Sequence, residues 1–203
     1  VRAYTDPEAD PVGQTTFQVE DFVPQTLKLE LASAAQVLKP DEPITVDVSG
    51  RFLYGAPAAN LNAEAELVLR EDDDPYPRYA GYHFGLVQDS WSAKQFPVDL
   101  VGTDAQGKAV IDLRLAEKPD VGRLLKAVLR VSLFEPGGRP VNRSLTLPYR
   151  TQPFAIGIRP LFEDAVPNGQ DANFDIIAVD PQGQPSTVDG LRYELYREDY
   201  EYY

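Results

Sequence analysis

The segment PITVDVSGRFLYGAP at residues 43–57 aligns without gaps to DANFDIIAVDPQGQP at residues 171–185. At this offset of 128 residues Asp47 falls on Asp175, Gly55 on Gly183, Pro57 on Pro185, Glu66 on Glu194 and Leu67 on Leu195. Slipping the offset by one places Pro40 on Pro167 and LKLEL (27–31) on FAIGI (154–158). A self-match at so long a period is the mark of tandem copies of one domain, because a solenoid repeats every few tens of residues. With 203 residues there is room for one copy of ordinary size and part of another. The expected division is a terminal strand remnant and linker over residues 1–24, a complete domain over 25–151, and the N-terminal part of a second over 152–203. The C-terminal stretch LRYELYREDYEYY (191–203) is then expected to be a β-strand of the second copy, cut short.

Both copies read as all-β. Apolar and polar residues alternate in LKLEL (27–31), ITVDV (44–48), AEAELVL (63–69), VIDLRL (110–115), AVLRVSLF (127–134) and RSLTLPY (143–149). The turn formers KPDEP, DAQGK, EPGGRP and DPQGQP separate them, with Gly107, Gly137, Gly138 and Gly183 placed to supply positive φ. One polar face per strand is what an antiparallel sandwich of the immunoglobulin or fibronectin-III kind requires. The stretch around Asp120 to Leu124 admits a single helical turn. Prolines punctuate the expected joints: Pro24 within VEDFVPQTL and Pro153 within LPYRTQPFAI predict short, stiff linkers.

The inventory of reactive groups is thin. There is no cysteine, hence no disulfide and no thiol chemistry. His83 is the sole histidine, so neither a paired-histidine metal site nor a two-histidine relay is available within the chain. The acidic run Glu71-Asp72-Asp73-Asp74 suggests calcium by composition. In an extended chain, however, neighbours point to opposite faces, and no D-x-D-x-D-G loop follows; a solvated turn is expected. Glu64 and Glu66 share a strand face as a glycosidase pair would, but alternate with Ala63, Ala65 and Leu67 as the wet side of a sheet does. No serine lies in G-x-S-x-G, and EPGGRP is a hairpin turn, not a phosphate cradle. Catalytic, cofactor-binding and metal-ligating residues are therefore expected to be none, and no cofactor is implied. A net charge of −13 argues against nucleic acid or an anionic membrane as partner. The longest apolar run, LLKAVLRVSLF, is interrupted by Lys126 and Arg130, so no direct membrane insertion is expected.

The concentration of aromatics in PYPRYAGYHFGLVQDSW is a candidate interaction surface: Tyr76, Tyr79, Tyr82, Phe84 and Trp91. It is read either as an exposed recognition loop or as a segment that packs into the core or onto a neighbouring domain. The tail tyrosines 193, 196, 200, 202 and 203 belong to the second copy, which, lacking its later strands, is expected to be poorly ordered or completed by another copy of the chain.

At the joints the sequence resembles a known family. TFQVEDFVPQTLKLEL (16–31) looks like the strand, proline and first strand that open a macroglobulin-like domain, and GRFLYGAPAANLNAEAEL (50–67) resembles the corresponding stretch of bacterial α2-macroglobulins. The resemblance covers most of residues 17–160. It implies macroglobulin-like sandwiches from the middle of a longer string and a periplasmic location, compatible with inner-membrane anchoring through an upstream lipidated N-terminus. It also implies a parent that entraps proteases after cleavage of a bait region, in many members with a Cys–Gln thioester. Neither bait nor thioester cysteine is present here, so the role implied for these residues is scaffold. Its partners would be neighbouring domains and, for the whole protein, target proteases. The alternative reading is an Ig-like binding module of a bacterial adhesin or carbohydrate-binding surface protein, with the tyrosine-rich loop recognising the ligand.

Overall fold

The structure, a computed structural model, describes residues 2–6, 8, 10–17, 26–116, 118–137 and 140–196. Among the described residues there are twelve strands and no helix. A short hairpin of β1 (Arg2–Ala3) and β2 (Gly13–Gln14) comes first. The expected F-x-V-E strand continues into residues 18–25, which, with Pro24, lie outside the described residues.

The alternating segments fold as alternation demands. Strands β3 (Leu27–Ala32), β4 (Ile44–Phe52) and β8 (Lys108–Leu113) form one sheet in the order β3-β4-β8. Strands β10 (Pro140–Tyr149), β9 (Leu125–Phe134), β5 (Ala63–Glu71) and β7 (Lys94–Val98) form the other, in the order β10-β9-β5-β7. All pairings are antiparallel. Leu27, Leu29, Val46, Val48 and Ile111 from the first sheet meet Leu67, Leu69, Leu129, Val131 and Leu133 from the second in one buried core. Burying branched aliphatic side chains contributes roughly 1.5–3 kcal/mol each, so this core is the main source of the sandwich's stability. Residues 118–124 are irregular, with bends at 122 and 123, and do not form the helical turn admitted by the sequence. Gly122 donates its N–H to Asp89 and accepts from Leu86 N, which ties this stretch to a neighbouring loop instead of to itself.

The remaining sheet contains β12 (Phe174–Val179), β11 (Ala155–Pro160) and the two-residue β6 (His83–Phe84), in the order β12-β11-β6. Strands β11 and β12 repeat β3 and β4. Phe52 N bonds to Ala56 O, Gly55 N to Phe52 O and Ala58 N to Gly50 O; at an offset of 128, Asp180 N bonds to Gln184 O, Gly183 N to Asp180 O and Ser186 N to Ala178 O. The isolated bridges Arg51–Pro57 and Val179–Pro185 keep the same offset. Lys28 pairs with Arg51 as Ala155 pairs with Val179, so β11 follows β3 at an offset of 127. Gly55 and Gly183 both have positive φ, 100° and 78°, which the tight return of this turn imposes.

The strand expected at 191–203 does not form over its described part: residues 191–196 are irregular, and 197–203 lie outside the described residues. Its counterpart β5 is held between β9 and β7, whereas no described residue offers a ladder to residues 191–196. An extended segment without a partner does not form a stable strand. Tyr193 and Tyr196 are exposed; Tyr200, Tyr202, Tyr203 and Gly138 fall outside the described residues.

Candidate interdomain interface

Four of the five aromatic candidates converge where the first sandwich meets β11–β12. Pro75 and Pro77 break the chain after β5, and short turns (Tyr79 N to Tyr76 O, Tyr82 N to Tyr79 O) coil the loop so that its rings face one way. The Tyr76 and Phe84 centroids are 4.7 Å apart, Tyr79 and Phe84 6.4 Å, and Tyr79 and Tyr82 6.2 Å in an edge-on arrangement. Tyr76 is buried with Ala155 and Val179, and Tyr79, Phe84, Leu124 and Ile177 pack around them. The loop therefore crosses onto the second unit. Such tilted ring pairs contribute about 0.5–1.5 kcal/mol beyond the area they bury.

Backbone and polar contacts fix the approach. Strand β6 adds to the edge of β11, with Phe84 opposite Gly157 and His83 opposite Ile158. Gly157 is required: a Cβ there would lie 2.6 Å from the Phe84 ring. Tyr79 Oη donates to Gly183 O at 3.1 Å, and Arg78 reaches Gln184 Oε1 at 3.4 Å, so the repeated turn is itself part of the contact. Arg159 donates to Asp175 Oδ2 at 2.5 Å, and its guanidinium sits 4.6 Å from the Tyr82 ring centroid. The hydrogen bond to Asp175 holds the Arg159 guanidinium above its already high ordinary pKa, so it is cationic at any physiological pH.

Beneath the loop lies a group that sequence reasoning missed. Arg150 is buried at the end of β10 and donates to Asp72 Oδ2 at 3.0 Å, Leu125 O at 2.6 Å and Tyr149 O at 3.2 Å. It also lies 5.1 Å from the Tyr76 ring centroid. The acidic run is not uniformly a solvated turn. Glu71 accepts from Trp91 N and Arg123, Asp72 from Arg150, and Asp73 from Lys126. An arginine adjoining a proline-rich joint was the available signal, but its partner lies 78 residues away in sequence.

Trp91 is not part of this cluster. It packs against the core of the first sandwich, donates Nε1–H to Leu69 O at 3.3 Å and carries Lys94 4.7 Å from its ring. His83 is exposed on β6. Among the described residues, no group of three or more histidine, cysteine, aspartate or glutamate side chains is arranged to hold a metal ion, and no helix is long and apolar enough to cross a membrane.

Two antiparallel sheets packed as a sandwich, joined through an aromatic loop to a third sheet whose strands β11 and β12 repeat β3 and β4, define a protein of tandem all-β units. The family model described as the bacterial alpha-2-macroglobulin MG5 domain matches residues 25–150, and that of bacterial macroglobulin domain 6 matches residues 157–203. The chain belongs to the bacterial alpha-2-macroglobulin family. It is 35% identical over 206 aligned residues to alpha-2-macroglobulin of Xylella fastidiosa, covering 98% of this chain and 12% of that protein. To alpha-2-macroglobulin of Escherichia coli it is 29% identical over 202 residues, covering 92% and 12%. The crystal structure of trypsin-activated alpha-2-macroglobulin from E. coli superposes with a TM-score of 0.60 at 28% identity, over 82% of this chain and 12% of that one. Salmonella alpha-2-macroglobulin reacted with methylamine gives 0.61 at 28% identity, over 83% and 12%. The chain thus spans about one-eighth of the length of these relatives.

Proposed function

We propose that these residues are a non-catalytic scaffold region of a periplasmic, broad-spectrum protease inhibitor, in which entrapment of a protease is the work of the whole protein. The observation that carries this reading is the packing of the aromatic loop against β11–β12: the densest aromatic stretch of the sequence is turned inward on the chain itself. The likeness to proteins named alpha-2-macroglobulin over nearly the whole chain supports it. So does the small share of those proteins that the chain spans, since entrapment requires a molecule large enough to surround its target.

The partners under this reading are neighbouring domains and, for the parent, target proteases. The test uses the parent protein with a protease and two substrates. Entrapment predicts lost cleavage of a large protein substrate, retained cleavage of a small peptide, and comigration of protease and inhibitor in gel filtration. The 203-residue chain alone should do none of these. Equal loss of both cleavages, or no comigration, rules entrapment out.

A further inference from the structure

The two units present opposite faces to their surroundings. In the first, Leu27, Leu29, Val46 and Val48 line the core, and the outward face of β3–β4 carries Lys28, Glu30 and Arg51. At the repeat offsets, those three outward positions become Ala155, Gly157 and Val179. These are the buried, small or apolar residues that receive Tyr76 and Phe84. The turn follows the same rule. Gly183 lies under Tyr76, whereas nothing comes within 4 Å of a Cβ built on Gly55.

We propose that the aromatic loop is an orientation-specific latch that recognises the outward face of the following domain and is barred from the equivalent face of its own domain type. The attractive part is the notch at Gly157, open only in the absence of a side chain, flanked by Ala155 and Val179. The repulsive part is the set Lys28, Glu30 and Arg51: docking the rings there would take the Lys28–Glu30 pair and the Arg51 guanidinium out of water and drive Glu30 into the space that Phe84 needs. The pair of domains then moves as one body in a fixed order, and copies of the chain do not dock head to tail through this loop.

This inference does not depend on protease entrapment. The absence of cysteine permits a clean double labelling of the chain, for example at Glu64→Cys in the first unit and Asn173→Cys in the second, both exposed. Pulsed electron spin resonance on this sample, diluted with unlabelled chain, should give one narrow distance distribution. The triple variant Ala155→Lys, Gly157→Glu, Val179→Arg installs the first unit's set, which β3–β4 carry at the same register positions; the distribution should broaden at least twofold. Phe84→Ser, which leaves the second unit's sequence untouched, should broaden it likewise. A broad distribution in the unsubstituted chain, or a narrow one surviving both sets of changes, overturns the latch.

Discussion

Arg150 and Asp72 form a buried ion pair at the joint: Nη2 donates to Oδ2 at 3.0 Å, with side chains 2% and 11% exposed. The pair is asymmetric. Asp72 has a second cation, Lys126 at 3.6 Å, whereas among the described residues Asp72 is the one carboxylate within ion-pair reach of Arg150. Asp72→Ala should therefore strand a buried guanidinium and cost about 3–5 kcal/mol. Arg150→Met, which leaves Asp72 with Lys126 and keeps the volume filled, should cost distinctly less. Urea denaturation of both variants checks the order; equal losses would contradict it.

Two glycines with similar backbone angles should differ sharply on substitution. Gly107 (φ 73°) would place a Cβ 2.4 Å from Gly50 O and 2.8 Å from Ala58 N, while Gly169 (φ 83°) has open space around it. Gly169→Ala should cost only the left-handed backbone penalty, about 1–2 kcal/mol. Gly107→Ala adds a collision with backbone that cannot rotate away. Thermal unfolding should show the larger drop for Gly107→Ala by a clear margin.

The two units should respond unequally to loss of an aliphatic side chain. Leu129 is 1% exposed in the first core, and Leu129→Ala should destabilise by about 2–5 kcal/mol. Ile176 occupies the position that corresponds to Val48 of that core, yet is 50% exposed. Ile176→Ala should change stability by less than about 1 kcal/mol, since little transfer free energy is at stake. A large loss there, measured by denaturant titration, would mean that this face is covered in solution.

On the outer face of β3, Lys28 Nζ lies 2.5 Å from Glu30 Oε1, and this hydrogen bond with its attached charge holds the Glu30 carboxyl below the usual glutamate range. A carboxyl lowered on folding contributes stability at pH above its unfolded value and loses it as the pH falls through the folded value. Both side chains are exposed, so the contribution is small. An NMR titration should show Glu30 protonating at lower pH than an unperturbed glutamate, and Lys28→Ala should move it back upward. An unmoved midpoint would show that the pair does not form in solution.

Much of the architecture was legible in local pattern. The six alternating segments are all strands, within a few residues of the expected ends, because a half-buried sheet imposes a period of two. Strand β7 was not anticipated: KQFPV shows no clear alternation, and Pro97 is tolerated because β7 is an edge strand. Strand β6 could not be seen either. Two residues carry no periodic signal, and they become a strand only because the edge of β11 is beside them. The aromatic loop was legible as a concentration of rings, but Trp91 does not sit with the other four, since proximity in sequence does not fix the direction in which a loop turns.

The sequence by itself determined the duplication, down to hydrogen bonds that recur at an offset of 128, because turn chemistry and strand register are local and travel with the residues that encode them. Only the tertiary structure decided which face of β11–β12 is covered and what Arg150 pairs with. FDIIAV has apolar residues on both sides, so alternation does not choose between them, and the choice falls to a loop arriving from some 90 residues earlier. Burial is a property of what comes to lie opposite, and that contact does not exist until the chain has folded.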